Sequence, residues 1–458
     1  MWYDLIRFIV LNLVRLFYPR LEIKGTENLP AGGPMIFVLN HPNGLMDPML
    51  LMTGLKRPVS FLAKSTFFAN PIGRLLVQAF GALPIYRQQD EGLAGGARGD
   101  MAKRNEATFA RCRALLGQGG AMALFPEGTT HSETRLLPLR TGAARIALSA
   151  EAEANWKLGV QVTPVGLWYQ NKTLFRTAAL LVVGQSFELK DYASAYARDE
   201  RQTVQALTDQ IDASLDAVVL QAENAELLTG IPVVAAWTAP GQQPLSLAQQ
   251  HARAARLFAA YERLRQTDPA RLEALAKQAY RYARVLGTLG ISDPWALELT
   301  TARRGRVIWL SLLLIVALPL ALAGFILSYV PYRLARPLTP YLIGREEAVT
   351  STGKLIIGSV LVLIGWIVEA LSCGLLFGAA WGGLLLLSAP GLAYIALRWG
   401  EGWQEVREVA AYNWLRLRRR PLVEGLKARR QELAAQVMAA VEAAEQRPAQ
   451  QPGHKVEV

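Results

Sequence analysis

Cysteine is nearly missing from this chain of 458 residues: Cys112 and Cys373 are the only two, far apart, the second inside an apolar run. No disulfide framework and no zinc-ligand spacing can be built from them; they read as unpaired thiols in a reducing compartment. No G-x-S-x-G elbow occurs, so a hydrolase with a serine nucleophile has no support. The opening stretch MWYDLIRFIVLNLVRLFYPR lacks a basic leader and a small-residue cleavage site, and does not read as a cleaved signal peptide. Charge is modest, at 19% of residues against 52% hydrophobic, yet its balance is +12. A basic excess of that size points to an anionic partner. The arginines gather beside apolar segments, which favours an anionic membrane leaflet and leaves no role for nucleic acid.

What the chain has is apolar length, unevenly placed. Residues 1–19 are apolar on most faces, with Asp4, Arg7 and Arg15 in one narrow sector at helical spacing. That predicts an interfacial membrane helix with its polar stripe outward; the alternative is a helix buried on its own domain. Residues 20–198 alternate β-rich runs (35–40, 59–64, 121–126, 160–169, 178–189) with helical patterns such as 110–119 and 141–154. The expected class is α/β, a mixed sheet with flanking helices. Residues 199–302 read as a soluble helical region. Asp268-Pro269 and Ser292-Asp293-Pro294 are helix-start signals, and 238–244 is a linker.

Residues 303–397 read as membrane-embedded helices. One apolar block spans 308–329 with Pro319 at its middle, and a second, twice as long, spans 356–397. Basic residues flank both: Arg303, Arg304 and Arg306 before, Arg333, Arg336, Arg345 and Lys354 between, Arg398 and the arginines at 416–420 after. The positive-inside rule places all three flanks in the cytoplasm. The second block is then a hairpin turning near 378–383. The first enters and returns, broken at Pro319; its rival is a single crossing with 330–354 outside. Residues 398–458 read as a basic amphipathic helical tail, disordered from Arg447.

The chemistry-bearing stretch is Asn40-His41-Pro42-Asn43-Gly44-Leu45-Met46-Asp47-Pro48, directly after a strand-like run. Asn43-Gly44 supplies a turn, and Asp47-Pro48 reads as a helix N-cap followed by proline. A strand–turn–helix brings His41 and Asp47 together where a continuous helix would separate them. A carboxylate beside an imidazole fixes its tautomer and makes it a competent general base. The plain alternative is a capping Asp47 and a surface His41. Further along come Gly81-Ala82-Leu83-Pro84-Ile85-Tyr86-Arg87, ending on a phosphate-capable arginine, and Phe125-Pro126-Glu127-Gly128-Thr129-Thr130-His131, a polar turn after an apolar strand. Val162 to Leu167 is a third strand, whose Pro164 implies an edge or a strand end.

In this order, NHxxxxxDP, GxxxxxR, FPEGT and TPV over residues 38–168 resemble the glycerolipid acyltransferase family. The five residues between His41 and Asp47, where the family commonly has four, resemble the fungal-type glycerol-3-phosphate/dihydroxyacetone-phosphate acyltransferases. Pro84 stands where an aromatic residue is common. The resemblance implies that His41 takes the proton of an acceptor hydroxyl, which attacks an activated acyl carbonyl, while Asp47 orients and balances His41. It implies that Arg87, Glu127, Gly128 and Thr129 form the acceptor phosphate site, with Lys64, Arg140, Pro164 and Arg176 as further candidates. It implies no cofactor, no metal and no acyl-enzyme. The donor would be acyl-CoA, an acyl carrier protein thioester or an acyl phosphate; the acceptor is of the glycerol-phosphate type. A lysophospholipid acceptor, and a non-catalytic membrane-binding protein of the same fold, are the alternatives.

Overall fold

The computed structural model describes residues 2–55, 57–69, 74, 81–86, 98–239, 245–291, 301–342 and 347–446. They form two compact units: Met1–Ala225 with Ile343–Leu355, and Glu226–Leu342 with Ile356–Val458. Ser292-Asp293-Pro294, Arg345, most of the 238–244 linker and the tail from Arg447 lie outside the described residues.

The first unit is a mixed sheet with helices. Its strands are β1 (Arg20–Lys24), β2 (Met35–Leu39), β3 (Ser60–Lys64), β4 (Leu83–Ile85), β5 (Ala121–Leu124), β6 (Gln161–Tyr169), β7 (Ala178–Val183) and β8 (Phe187–Glu188). The order is β1-β7-β6-β2-β5-β3-β4, with β8 also pairing β6. β2 through β6 all run parallel to one another, whereas β7 runs antiparallel to β6 and β1 follows β7. Strands covered on both faces read as unbroken apolar runs, and MIFVL of β2, AMAL of β5 and AALLVV of β7 are buried at every position. Helices α1 (Trp2–Phe17), α2 (Met46–Gly54), α3 (Ser65–Ala69), α4 (Arg98–Gly117), α5 (Gly142–Glu153), α6 (Ala193–Arg198) and α7 (Glu200–Asp216) complete the unit. The sequence pattern does not announce β1, RLEIK, because an edge strand needs no apolar run.

Two expectations change here. Pro164 is not at an edge: β6 lies inside the sheet, with Val38 of β2 as its register partner. On its other side β6 switches partner from β8 to β7, and the Pro164 carbonyl accepts from Gly184 N at 2.8 Å. The missing proline N–H therefore falls where β7 has ended and β8 has not begun, so no ladder bond is lost. In α1 the polar sector does not face outward as a whole. Arg7 turns inward and donates to the Leu55 carbonyl at the end of α2, an acceptor with no partner in its own helix. Val10, Val14 and Phe17 are buried, and Leu5, Phe8 and Ile9 are exposed.

The second unit is helical: α8 (Ala225–Trp237), α9 (Leu247–Thr267), α10 (Pro269–Thr288), α11 (Thr301–Leu342), most of α12 (Glu347–Phe377), α13 (Ala379–Arg418) and α14 (Arg420–Gln446). Asp268 caps α10, accepting from Arg271 N at 3.1 Å, with Pro269 at the first helical position. Segments of α11, α12 and α13 are each long and apolar enough to cross a membrane. The second apolar block is a helical hairpin turning at Gly378, whose φ of 101° suits glycine. The first block is not broken at Pro319: α11 is one helix of 42 residues with Pro319, Pro331, Pro337 and Pro340 inside it. Gly324 and Gly402 let α11 and α13 approach closely, and Trp399 Nε1 donates to the Leu314 carbonyl at 2.8 Å. Such packing supports a helix whose prolines have removed some of its own hydrogen bonds.

Gly166 of β6 tests the packing of the first unit. A Cβ there would stand 2.1 Å from the carbonyl oxygen of Val218. Gly166→Ala should lower stability by roughly 1–3 kcal/mol, as overpacked sites do. Gly142→Ala, where a Cβ meets open space, should show no such loss in the same thermal unfolding measurement.

Candidate active site

Five parallel strands deliver their C-terminal ends to one edge of the sheet, where open α/β sheets bind their ligands. At that edge β2 runs into Asn40 and His41, β5 into Phe125 and Glu127, β3 ends on Lys64, β4 leads to Tyr86, and β6 ends on Tyr169. Arg87 follows Tyr86 and lies outside the described residues.

Asn40 starts the site. The backbone ladder between β2 and β6 ends at Leu39↔Val165. The Asn40 side chain makes the next rung: its Nδ2 donates to the Leu167 carbonyl at 3.1 Å and its Oδ1 accepts from Leu167 N at 2.7 Å. The amide thus satisfies β6 while the main chain leaves the sheet, and His41 swings free of it.

His41 Nδ1 lies 2.8 Å from Asp47 Oδ2. Asp47 is not the N-cap of α2. The helix begins two residues earlier than Pro48, at Met46, because Asn43 and Gly44 already accept from Met46 N and Asp47 N. The carboxylate is buried and fully employed: Oδ2 also accepts from Asn43 N at 2.8 Å, and Oδ1 accepts from the Tyr169 hydroxyl at 2.5 Å. A buried charge is tolerated only when paired and hydrogen-bonded in this way, and a place in the first helical turn adds the favourable end of the dipole. Burial, then the charge of Asp47, raise the pKa of Tyr169 well above that of an ordinary phenol, so it remains a donor. With Asp47 holding Nδ1, the basic lone pair of His41 is on Nε2. The Phe125 ring stacks on the imidazole, centroids 3.9 Å apart and planes at 16°.

Behind this pair stands Tyr18. Its ring is buried, and burial raises its pKa above the ordinary range. The hydroxyl accepts from Asn43 Nδ2 at 2.9 Å and donates to the Lys172 carbonyl at 3.0 Å. Nothing in the spacing of Tyr18 points to this contact, because helix α1 reaches the site only through the tertiary fold. Tyr169, Asn43 and Phe125 carry a weak signal, as polar or aromatic residues at strand ends and turns.

Glu127 is also at the site but is turned away from solvent. Its side chain is wholly enclosed. Oε1 accepts from His41 N at 3.0 Å, and Oε2 accepts from Leu137 N at 2.9 Å and meets His131 Nε2. His131 N in turn donates to the His41 carbonyl at 3.3 Å. The geometry gives Glu127 the part of a clamp on the His41 backbone. Gly128 has φ 72°, and a Cβ there would strike the Arg140 side chain at 2.5 Å. The exposed Arg140 therefore lies across this turn, beside the half-buried Thr129. Lys64 closes β3 at the same edge. Pro164 is buried in mid-sheet and does not reach the edge. Arg176 is elsewhere too: its N and Nη1 donate to the Phe17 and Leu16 carbonyls at 2.9 and 3.1 Å, capping the C-terminus of α1.

Asn40→Leu should cost about 2–4 kcal/mol, since it leaves the buried N–H and carbonyl of Leu167 without partners. Denaturant unfolding measures it, and a loss below about 0.5 kcal/mol would show that Leu167 is satisfied in another way.

The acyltransferase family model matches residues 20–168. Over longer stretches the chain is similar to an uncharacterized acyltransferase of Schizosaccharomyces pombe, 25% identical over 370 residues, covering 64% of this chain and 54% of that one. It is 31% identical over 200 residues to glycerol-3-phosphate O-acyltransferase 2 of Saccharomyces cerevisiae, covering 43% and 26% of the two chains. It is 30% identical over 159 residues to a chloroplastic 1-acyl-sn-glycerol-3-phosphate acyltransferase of Brassica napus, covering 34% and 40%. The matches thus span between about a quarter and a half of these relatives' length. The stretch that builds the sheet edge and carries His41, Asp47 and Glu127 is an acyltransferase-family domain.

Proposed function

We propose that the protein is a membrane-associated O-acyltransferase that moves a fatty acyl chain from an activated donor to a hydroxyl of glycerol-3-phosphate or dihydroxyacetone phosphate. The observation that carries this reading is His41, held through Nδ1 by a buried carboxylate at the ligand-binding edge of an acyltransferase-family domain. His41 Nε2 takes the acceptor's hydroxyl proton as its oxygen attacks the acyl carbonyl. The tetrahedral intermediate collapses, and the proton passes to the leaving thiol or phosphate. Holding the two reactants in line contributes roughly 7–11 kcal/mol over free encounter. Arg87 and Arg140 are the cations assigned to the acceptor phosphate, with Gly128 and Thr129 shaping the turn beneath it and Lys64 at the neighbouring strand end. The donor is acyl-CoA, an acyl carrier protein thioester or an acyl phosphate.

A 1-acylglycerol-3-phosphate acceptor is the second reading, favoured by the similarity to the Brassica napus enzyme. Both acceptors present a hydroxyl near a phosphate, so the same base and the same cations serve either.

Labelled acyl transfer assayed with glycerol-3-phosphate, dihydroxyacetone phosphate and lysophosphatidate separates the two. The first two should be acylated, and turnover on lysophosphatidate alone would establish the second reading. His41→Ala should remove at least about a hundred-fold of the rate, the share of a general base, in a protein that remains folded. Arg87→Ala should raise KM for the acceptor, by the roughly 1.5–3 kcal/mol of a charged hydrogen bond, with little effect on KM for the donor. Equal effects on both would place Arg87 outside the acceptor site.

The catalytic unit is proposed to face the cytoplasm at the cell membrane. Residues 347–355, the first turns of α12, belong to that unit, which supports the placement of Lys354 on the catalytic side. In a variant lacking Cys112 and Cys373, Glu347→Cys should resist an impermeant maleimide in intact cells and react after permeabilisation. Labelling in intact cells would put the catalytic unit outside.

A further inference from the structure

The start of α12 is far in sequence from the motifs, yet it packs within the catalytic unit. Ser351 is completely buried, and its hydroxyl donates to the Lys172 carbonyl. Lys354 Nζ donates to the next carbonyl along, that of Thr173, at 2.7 Å. Leu355 is buried in the same apolar cluster as Phe17, Tyr18 and Met46. The Lys172 carbonyl is the acceptor that also receives Tyr18 at 3.0 Å and Asn43 Nδ2 at 3.3 Å. Asn43 N in turn holds Asp47 Oδ2. The Lys172 side chain ties in the other arm: Nζ donates to Ser132 Oγ at 2.9 Å and pairs with Glu347 at 3.4 Å, and Ser132 follows the histidine that meets Glu127.

We infer that the first turns of α12, through Ser351 and Lys354, are positioning elements for the His41–Asp47 pair. They fix the 171–174 loop, whose Lys172 carbonyl sets Asn43 and Tyr18 and thereby the carboxylate of Asp47. None of these groups touches a substrate. Their effect is on the geometry of the base, so it falls on kcat and spares the binding of donor and acceptor. The Ser351 hydroxyl also meets the Tyr18 side chain, and the two carbonyls that Ser351 and Lys354 engage are consecutive. The inference rests on the acyl-transfer reading for its kinetic readout, but its structural readout is independent.

The test uses the full-length protein in detergent or vesicles. Ser351→Ala should lower kcat by about three- to ten-fold, the range into which loss of a neutral hydrogen bond converts, and Lys354→Met, which removes a charged donor, by at least about as much, with both KM values unchanged. Thr352→Ala, one residue along the same helix, should keep the wild-type kcat. In a Tyr18→Phe background Ser351→Ala should cost much less than in the wild type, because the two hydroxyls act through one carbonyl. Hydrogen exchange should show faster exchange of the Asn43 amide in Ser351→Ala. Unchanged kcat together with unchanged exchange overturns the inference, as does a loss confined to KM. If the wild-type protein itself transfers no acyl group to any acceptor, the acyl-transfer reading falls instead, and the exchange of Asn43 still decides the coupling.

Discussion

The hydrogen bond between His41 Nδ1 and Asp47 is the contact around which the unit is arranged. Placing a carboxylate out of water costs several kcal/mol unless its oxygens are met. The fold meets them from three separate places: the turn at Asn43, the end of β6 at Tyr169, and the imidazole itself. Each partner is held in turn, Asn43 by Tyr18 just after helix α1, and His41 by the Phe125 ring and the Glu127 clamp. The outcome is an imidazole with a fixed plane and a fixed tautomer, standing at a sheet edge with Nε2 on the side away from Asp47.

Two carboxylates, six and 86 residues from His41 in sequence, do different work on it. Asp47 acts on the ring of His41, and Glu127 acts on its backbone and ties down His131 and Leu137. The second arrangement fastens the loop after β5 to the loop after β2. The turn at Gly128, with Arg140 lying across it, is thereby held at a set distance from His41. In the acyl-transfer reading proposed above, His41 and Arg140 on two clamped loops are pre-organised in the sense that catalysis requires.

How much of this is legible in the sequence depends on how local the physics is. The five buried or half-buried strands can be read directly, because a strand covered on both faces has no room for charge. His41 and Asp47 can be read as partners because a turn and a helix start separate them. Tyr18, Lys172 and Ser351 cannot, because their meeting is made by tertiary contacts across more than a hundred residues. Pro164 misleads for a related reason: the rule that excludes proline from inner strands assumes one continuous neighbour, and β6 has two. Pro319 misleads because a proline breaks a helix in water more readily than in a packed apolar bundle. Asp47-Pro48 marks the right helix within two residues, but the carboxylate that would cap it has a better-matched set of donors.

The rung supplied by Asn40 also sets a limit on chemical ageing. Its amide presents a donor and an acceptor in one plane to the N–H and carbonyl of Leu167. Hydrolysis of that amide would exchange the donor for a negatively charged oxygen facing a carbonyl oxygen, turning an attraction into a repulsion inside the sheet. A single deamidation event would loosen the strand that delivers His41 while leaving the histidine itself chemically intact. Burial of Asn40, which keeps water and backbone motion from the amide, is therefore a condition of the protein's working lifetime as well as of its fold.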